Sequence, residues 1–157
     1  GLERGFVGYF DGGAVRAVVS GLDFPNGITV DRRRGDVVVA ATRGRELLVY
    51  GLADLMEGKP ARRRIPLDGA PDNLSLSADG ELLVALHPAL WRLALHRYGL
   101  PGGERAPSRI EVLDPEGGAR RIFEDDGTRL SAATVAVRWR DRLLIGSVLG
   151  EHLLLCR

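Results

Sequence analysis

The sequence predicts an all-β fold: a partial six-bladed β-propeller of four-stranded antiparallel blades, amounting to about half of a ring. Three observations carry this expectation. The same pattern restarts at Phe24-Pro25-Asn26-Gly27-Ile28-Thr29-Val30, Ala70-Pro71-Asp72-Asn73-Leu74-Ser75-Leu76 and Ser131-Ala132-Ala133-Thr134-Val135-Ala136-Val137. Each restart leads through an alternating strand and a polar turn into a more apolar strand, the mark of a radial β-repeat. Asn26 and Asn73 lie 47 residues apart, close to the ~40–50 residues of a four-stranded blade. Finally, the second strand of each unit (Val37-Val38-Val39, Leu82-Leu83-Val84, Leu143-Leu144-Ile145) is a continuous apolar run. A strand covered on both faces by neighbouring blades needs that composition.

The elements follow in order. Residues 6–10 and 14–19 flank the turn Asp11-Gly12-Gly13 and read as a hairpin. Strands 27–30 and 36–41 enclose a polar turn at 31–35, and 46–50 and 61–67 complete that unit. The next unit holds 74–77, the turn Ala78-Asp79-Gly80 and 81–86, then an insertion at 88–107, then 108–113 and 119–123. Within the insertion, 89–96 reads as a short helix with Pro88 at its first turn. Strands 134–139, 142–148 and 152–156 form the last unit, one strand short of four. The expected division is therefore 1–20 as the end of one blade, 21–69 as a blade, 70–125 as a blade with the helical insertion, and 126–157 as a last blade lacking its closing strand. Propellers close with ~4–8 blades, so a ring of this length does not close. It reads as the C-terminal half, completed by an N-terminal half.

Composition narrows the function. A chain of 157 residues makes one domain with enough length for a core, and 45% hydrophobic with 27% charged residues is globular. A net charge of +1 offers no electrostatic case for nucleic acid or an anionic membrane surface. No run approaches the ~18–20 apolar residues of a membrane span, and no signal-peptide pattern is visible. The first residue is Gly1 rather than Met, so the chain is expected to have been trimmed or to start further upstream. Cys156 is the sole cysteine. It reads as a small buried hydrophobe, on a terminal strand where a ring-closing disulfide would also sit.

Chemistry concentrates at the strand starts. Alone, Pro25-Asn26-Gly27 is a turn tripeptide, and Asp72-Asn73 after a proline is a turn bonding its own backbone. Their shared register is what suggests more. Both fall where inner strands begin, so their oxygens converge on the propeller axis. One carboxylate and two carboxamide oxygens form a hard set suited to calcium, although ~6–8 ligands are needed for a full shell. No nucleophile elbow surrounds Ser131 or Ser147. The runs Arg32-Arg33-Arg34 and Arg62-Arg63-Arg64 read as a solvated turn and a charged edge strand.

At these residues the chain resembles the paraoxonase/arylesterase family. Gly21-Leu22-Asp23-Phe24-Pro25-Asn26-Gly27-Ile28 is similar to the stretch that offers an asparagine to the family's central calcium. Pro71-Asp72-Asn73-Leu74 resembles its Asp-Asn pair, and His87-Pro88 also matches. The block from Phe123-Glu124-Asp125-Asp126-Gly127-Thr128 to Cys156 is similar to the family's C-terminus. Gluconolactonases and strictosidine-synthase-like proteins share the propeller and the Pro-Asn-Gly element. The Asp-Asn pair with the terminal block favours the paraoxonase-like branch.

The resemblance implies that Asn26, Asp72 and Asn73 bind a catalytic calcium, which polarises the carbonyl of a lactone or aryl ester. It further implies that the general base, a histidine pair, and the remaining ligands belong to an N-terminal half. Cys156 then corresponds to one partner of a ring-closing disulfide. His87 is the candidate catalytic residue of this half, lining the tunnel mouth near substrate; otherwise its ring caps a loop carbonyl. His96 reads as surface or lid and His152 as an ordinary strand residue. Leu90, Trp91 and Leu93 are candidates for an apolar lid. The expected function is calcium-dependent hydrolysis of lactones or aryl esters by the complete protein, acting on a small-molecule substrate. The alternatives are a non-catalytic calcium-stabilised binding propeller, a gluconolactonase- or strictosidine-synthase-like relative, and an orphan half that self-associates through its open edges.

Overall fold

In the computed structural model, which describes residues 4–114 and 116–157, the fold is the all-β partial six-bladed propeller of antiparallel blades that the sequence predicts. The first three residues of the expected opening unit, 1–20, lie outside the described range. β1 (Gly5–Phe10) and β2 (Val15–Leu22) form a two-stranded sheet. β3 (Pro25–Asp31), β4 (Asp36–Ala41), β5 (Glu46–Gly51) and β6 (Arg63–Pro66) form a four-stranded sheet in sequence order. A second such sheet follows in β7 (Ala70–Leu76), β8 (Leu82–His87), β9 (Ser108–Leu113) and β10 (Ala119–Asp125). β11 (Ala133–Trp139), β12 (Arg142–Ser147) and β13 (Leu154–Cys156) make a three-stranded one.

The core lies between the sheets, and β4 shows why. Successive side chains of a strand point to opposite faces. Val37, Val39 and Ala41 pack with Val7, Val18, Leu22, Leu48 and Tyr50, toward the β1–β2 sheet. Val38 and Ala40 pack with Leu47, Val49, Val84, Leu86 and Leu113, toward the next blade. β8 repeats the arrangement: Leu83 and Ala85 join Ile110, Ala133, Ala136, Leu143 and Ile145 in the last interface. An apolar run on the second strand therefore serves two interfaces at once.

Among the described residues, two helices interrupt the strands. The insertion carries α2 (Leu90–Arg97), one residue later than the sequence suggests. His96 donates through Nδ1 to the carbonyl of Gly103 at 2.8 Å, closing the loop after the helix. α1 (Leu52–Met56) is not expected from the sequence. Its five residues are too few to show a helical period, and its buried Leu55 joins the interface beside β2. Gly58, at φ +71°, supplies the left-handed conformation that ends the turn. Arg64 on the outer strand β6 pairs with Glu46 through Nε at 2.9 Å, so the second arginine run is in part a paired edge. Among the described residues no helix is long and apolar enough to cross a membrane.

Candidate metal centre and substrate cavity

The first strands of successive sheets, β3, β7 and β11, lie side by side, and each is irregular at one place. On β3, Pro25 pairs with Ala41 and Ile28 with Val39, so three steps on one strand match two on the other. On β7, Pro71 pairs with Leu86 and Leu74 with Val84. On β11, Ala133 pairs with Ser147 and Val135 with Gly146. Each is a one-residue β-bulge, and the bulges fall on Asn26-Gly27, Asp72-Asn73 and Thr134. A bulge breaks the in–out alternation and re-aims a side chain. Here the three bulges bring polar side chains of three blades together.

Asp72 is the hub. Its residue is 7% exposed, and its carboxylate accepts from three directions. Asn26 donates through Nδ2 to Oδ1 at 2.5 Å. His87, at the end of β8, meets Oδ2 through Nε2 at 2.9 Å, and the Thr134 hydroxyl donates to the same oxygen. Asn73 donates through Nδ2 to the carbonyl and hydroxyl oxygens of Thr134, at 2.9 and 3.0 Å. Thr42, at the end of β4, fixes the proline before Asp72 by donating to the Pro71 carbonyl at 2.7 Å. The backbones approach so closely that a Cβ at Gly27 would lie 2.4 Å from the Asp72 carbonyl oxygen. Glycine at that position is a packing requirement.

The cluster faces a cavity of about 450 Å³ lined by Phe24, Arg43, Leu90, Leu93, Arg97, Val148 and Leu149, with Asn26, Asp72, Asn73, His87 and Thr134 also on its wall. All four residues singled out in the sequence, Asn26, Asp72, Asn73 and His87, therefore reach one place. His87 is buried (3% exposed) and bonded to the carboxylate, with its Nδ1 lacking a described partner. It is built to hold Asp72. Of the three lid candidates, Leu90 and Leu93 line this cavity, whereas Trp91 lines a smaller depression with Arg45, Pro88 and Ala89. His152 bonds the Arg129 carbonyl at 3.0 Å, away from the cavity wall. Thr134 stands in the third restart in the register of Asn73; it was not singled out in the sequence, and its place beside Asp72 is evident only once β11 is set against β7. Arg43 and Arg97 gave no sequence signal, because a turn and a helix end bring them in.

Calcium takes hard oxygen donors, and the donor set here fits one. Among the described residues no three of His, Cys, Asp and Glu converge, so a cation would rest on one carboxylate and on amide oxygens. Both side chains donate through nitrogen, and the amide oxygens of Asn26 and Asn73 accept no described hydrogen bond. Asp72 Oδ1 has one described donor and retains lone-pair capacity. Asn26, Asp72 and Asn73 therefore present uncommitted oxygens from adjacent blades.

Successive antiparallel sheets whose inner strands aim oxygens at a common axis define a β-propeller with a polar centre. The chain belongs to the arylesterase family, whose sequence profile matches residues 1–157. Human serum paraoxonase/arylesterase 1 is 27% identical over 154 residues, which cover 98% of this chain and 43% of the human protein. Rabbit serum paraoxonase/lactonase 3 is 30% identical over 143 residues, covering 88% and 39% respectively. The chain thus spans less than half the length of these curated relatives. Among solved structures, the calcium-binding protein regucalcin from Agrobacterium tumefaciens superposes with a TM-score of 0.54 at 17% identity, over 93% of this chain and 46% of that one. At that identity the likeness is one of fold.

Proposed function

We propose that this chain supplies part of a calcium-dependent centre for hydrolysing lactones or aryl esters, completed by the rest of a propeller ring. The observation that supports it most is the set of three aligned bulges that directs Asn26, Asp72, Asn73 and Thr134 to one point on the wall of a partly apolar cavity. Asn26, Asp72 and Asn73 would hold the ion. Calcium, when bound, supplies Lewis-acid polarisation of the ester carbonyl.

The chain's own residues prepare that chemistry. His87 donates through Nε2 to Asp72 Oδ2 and so fixes the carboxylate's orientation. Thr134 fixes the same oxygen and orients Asn73. Leu90, Leu93, Val148 and Leu149 offer an apolar wall to the substrate. In the net reaction a water oxygen bonds the acyl carbon, the carbon–oxygen ester bond breaks, and a water proton passes to the departing oxygen. Because His87 is committed to Asp72, the base that takes this proton is assigned to the remainder of the ring.

A second reading has its own support. Asp72 already accepts three hydrogen bonds within the chain, which suits a polar knot that rivets the blades without turnover. Assay of phenyl acetate and a δ-lactone by the complete protein separates the two. Calcium-dependent hydrolysis that falls at least ~100-fold in Asp72→Ala supports the hydrolase. Wild-type activity in that variant removes the ligand assignment, and no hydrolysis by the parent protein favours the rivet.

A further inference from the structure

The cavity wall is not neutral. Arg43 and Arg97 both line it, and Asp72, already holding three donors, is its one carboxylate among the lining residues. Arg43 lies on the turn after β4, where its N–H bonds the Asp23 carbonyl at 3.3 Å. Its guanidinium sits over the Phe24 ring, 5.2 Å from the centroid. Stacking on an aromatic face leaves the in-plane N–H groups of a guanidinium available. Arg45, two residues on, shows the contrast: it pairs with Asp68 at 3.6 Å. Neither Arg43 nor Arg97 has a described ion pair.

Arg97 is placed by its helix. Leu90, Leu93 and Arg97 are spaced three and four residues apart on α2, so they share one face. That face lines the cavity, apolar near the insertion's start and cationic at its end. A cation in the last turn suits a helix C-terminus, but Arg43 stands on a turn and has no such reason to be there. A neutral aryl ester would use neither group. An anion joining apolar walls to two unpaired guanidinium groups would use both.

We propose that the cavity takes an ester or lactone whose apolar portion ends in a carboxylate, held by Arg43 and Arg97. This rests on the hydrolase reading and names its substrate class.

The test uses the complete protein and measures binding apart from turnover. The probes are the mono-anilide of adipic acid, a non-hydrolysable amide with a terminal carboxylate, and neutral hexananilide. Titration calorimetry is expected to show the anionic probe binding at least about tenfold more tightly. That preference is expected to fall toward unity in the Arg43→Gln, Arg97→Gln double variant, and to persist in Arg92→Gln, a half-buried arginine of the same helix outside this cavity wall. Equal binding of the two probes by the wild type, no binding of either, or a preference surviving the double substitution overturns the proposal. Calcium-dependent hydrolysis of phenyl hexanoate by the wild type is scored separately. If it occurs without any anion preference, only the substrate class fails; if anion preference occurs without hydrolysis, only the hydrolase reading fails.

Discussion

Asn26 and Asp72 stand 46 residues apart on the inner strands of adjacent blades, and their side chains meet at 2.5 Å. Polar side chains, rather than a continuous backbone ladder, hold the inner strands together here. Ser75 extends the same stitching one step along, donating to the Ala136 carbonyl of the next blade.

That contact gives a charge test. Asn26→Asp places a second carboxylate against Asp72, where like charges repel by an amount on the order of 1–3 kcal/mol. Without calcium the variant is expected to melt below the wild type. Added calcium is expected to close most of the gap, since a divalent cation neutralises the pair. Thermal denaturation with chelator and with excess calcium checks both halves of this expectation.

Gly27→Ala tests the packing behind the site. Its new Cβ would sit 2.4 Å from the Asp72 carbonyl oxygen and 2.8 Å from the Asn73 Cα, against backbone that has nowhere simple to go. A destabilisation of about 1–3 kcal/mol is expected from separating β3 and β7, together with weakened calcium binding. Urea denaturation reads the first effect. A wild-type midpoint would contradict the close approach.

Much of this was legible in the sequence, for identifiable reasons. Blade order followed from the restarts at Pro25, Pro71 and Ala132, because a repeat reports topology directly. The buried second strands followed from Val37–Val39 and its counterparts. The meeting of Asn26 with Asp72 followed from register. The bulges themselves did not, since nothing in Pro-Asn-Gly distinguishes a bulge from a turn until the partner strand is known. Five-residue α1 lies below the length at which periodicity speaks, and Arg43 and Arg97 converge only through tertiary placement.

Asp125 should contribute to acid sensitivity. Burial alone would raise this carboxyl, but the Arg129 guanidinium and the N–H groups of Leu130, Arg129 and Gly127 outweigh it and hold it below the usual carboxylate range. A carboxyl depressed on folding stabilises fully above its unfolded value of about 3.9, and that contribution is lost as pH falls through the folded value. Asp125→Asn is therefore expected to cost about 1–3 kcal/mol at pH 7 and to show a shallower loss of stability below about pH 4. Denaturation midpoints across pH 2–7 make the comparison, and parallel profiles would contradict it.

The interface between the two four-stranded blades should be the costliest place to cut. Leu86 is fully buried there beside Val38, Leu47 and Leu113. Leu86→Ala is expected to cost about 2–5 kcal/mol by lost burial and cavity formation. Leu155→Ala, on the exposed side of β13, is expected to cost under about 1 kcal/mol.

Oxygens of Asn26, Asp72 and Asn73 are proposed to hold calcium on the propeller axis. Equilibrium dialysis of radiolabelled calcium against the complete protein and its Asp72→Asn variant tests it most directly. Loss of one bound ion, or at least about a tenfold weakening of it, with the fold retained by circular dichroism, is the predicted result. Unchanged affinity and stoichiometry in the variant would contradict it.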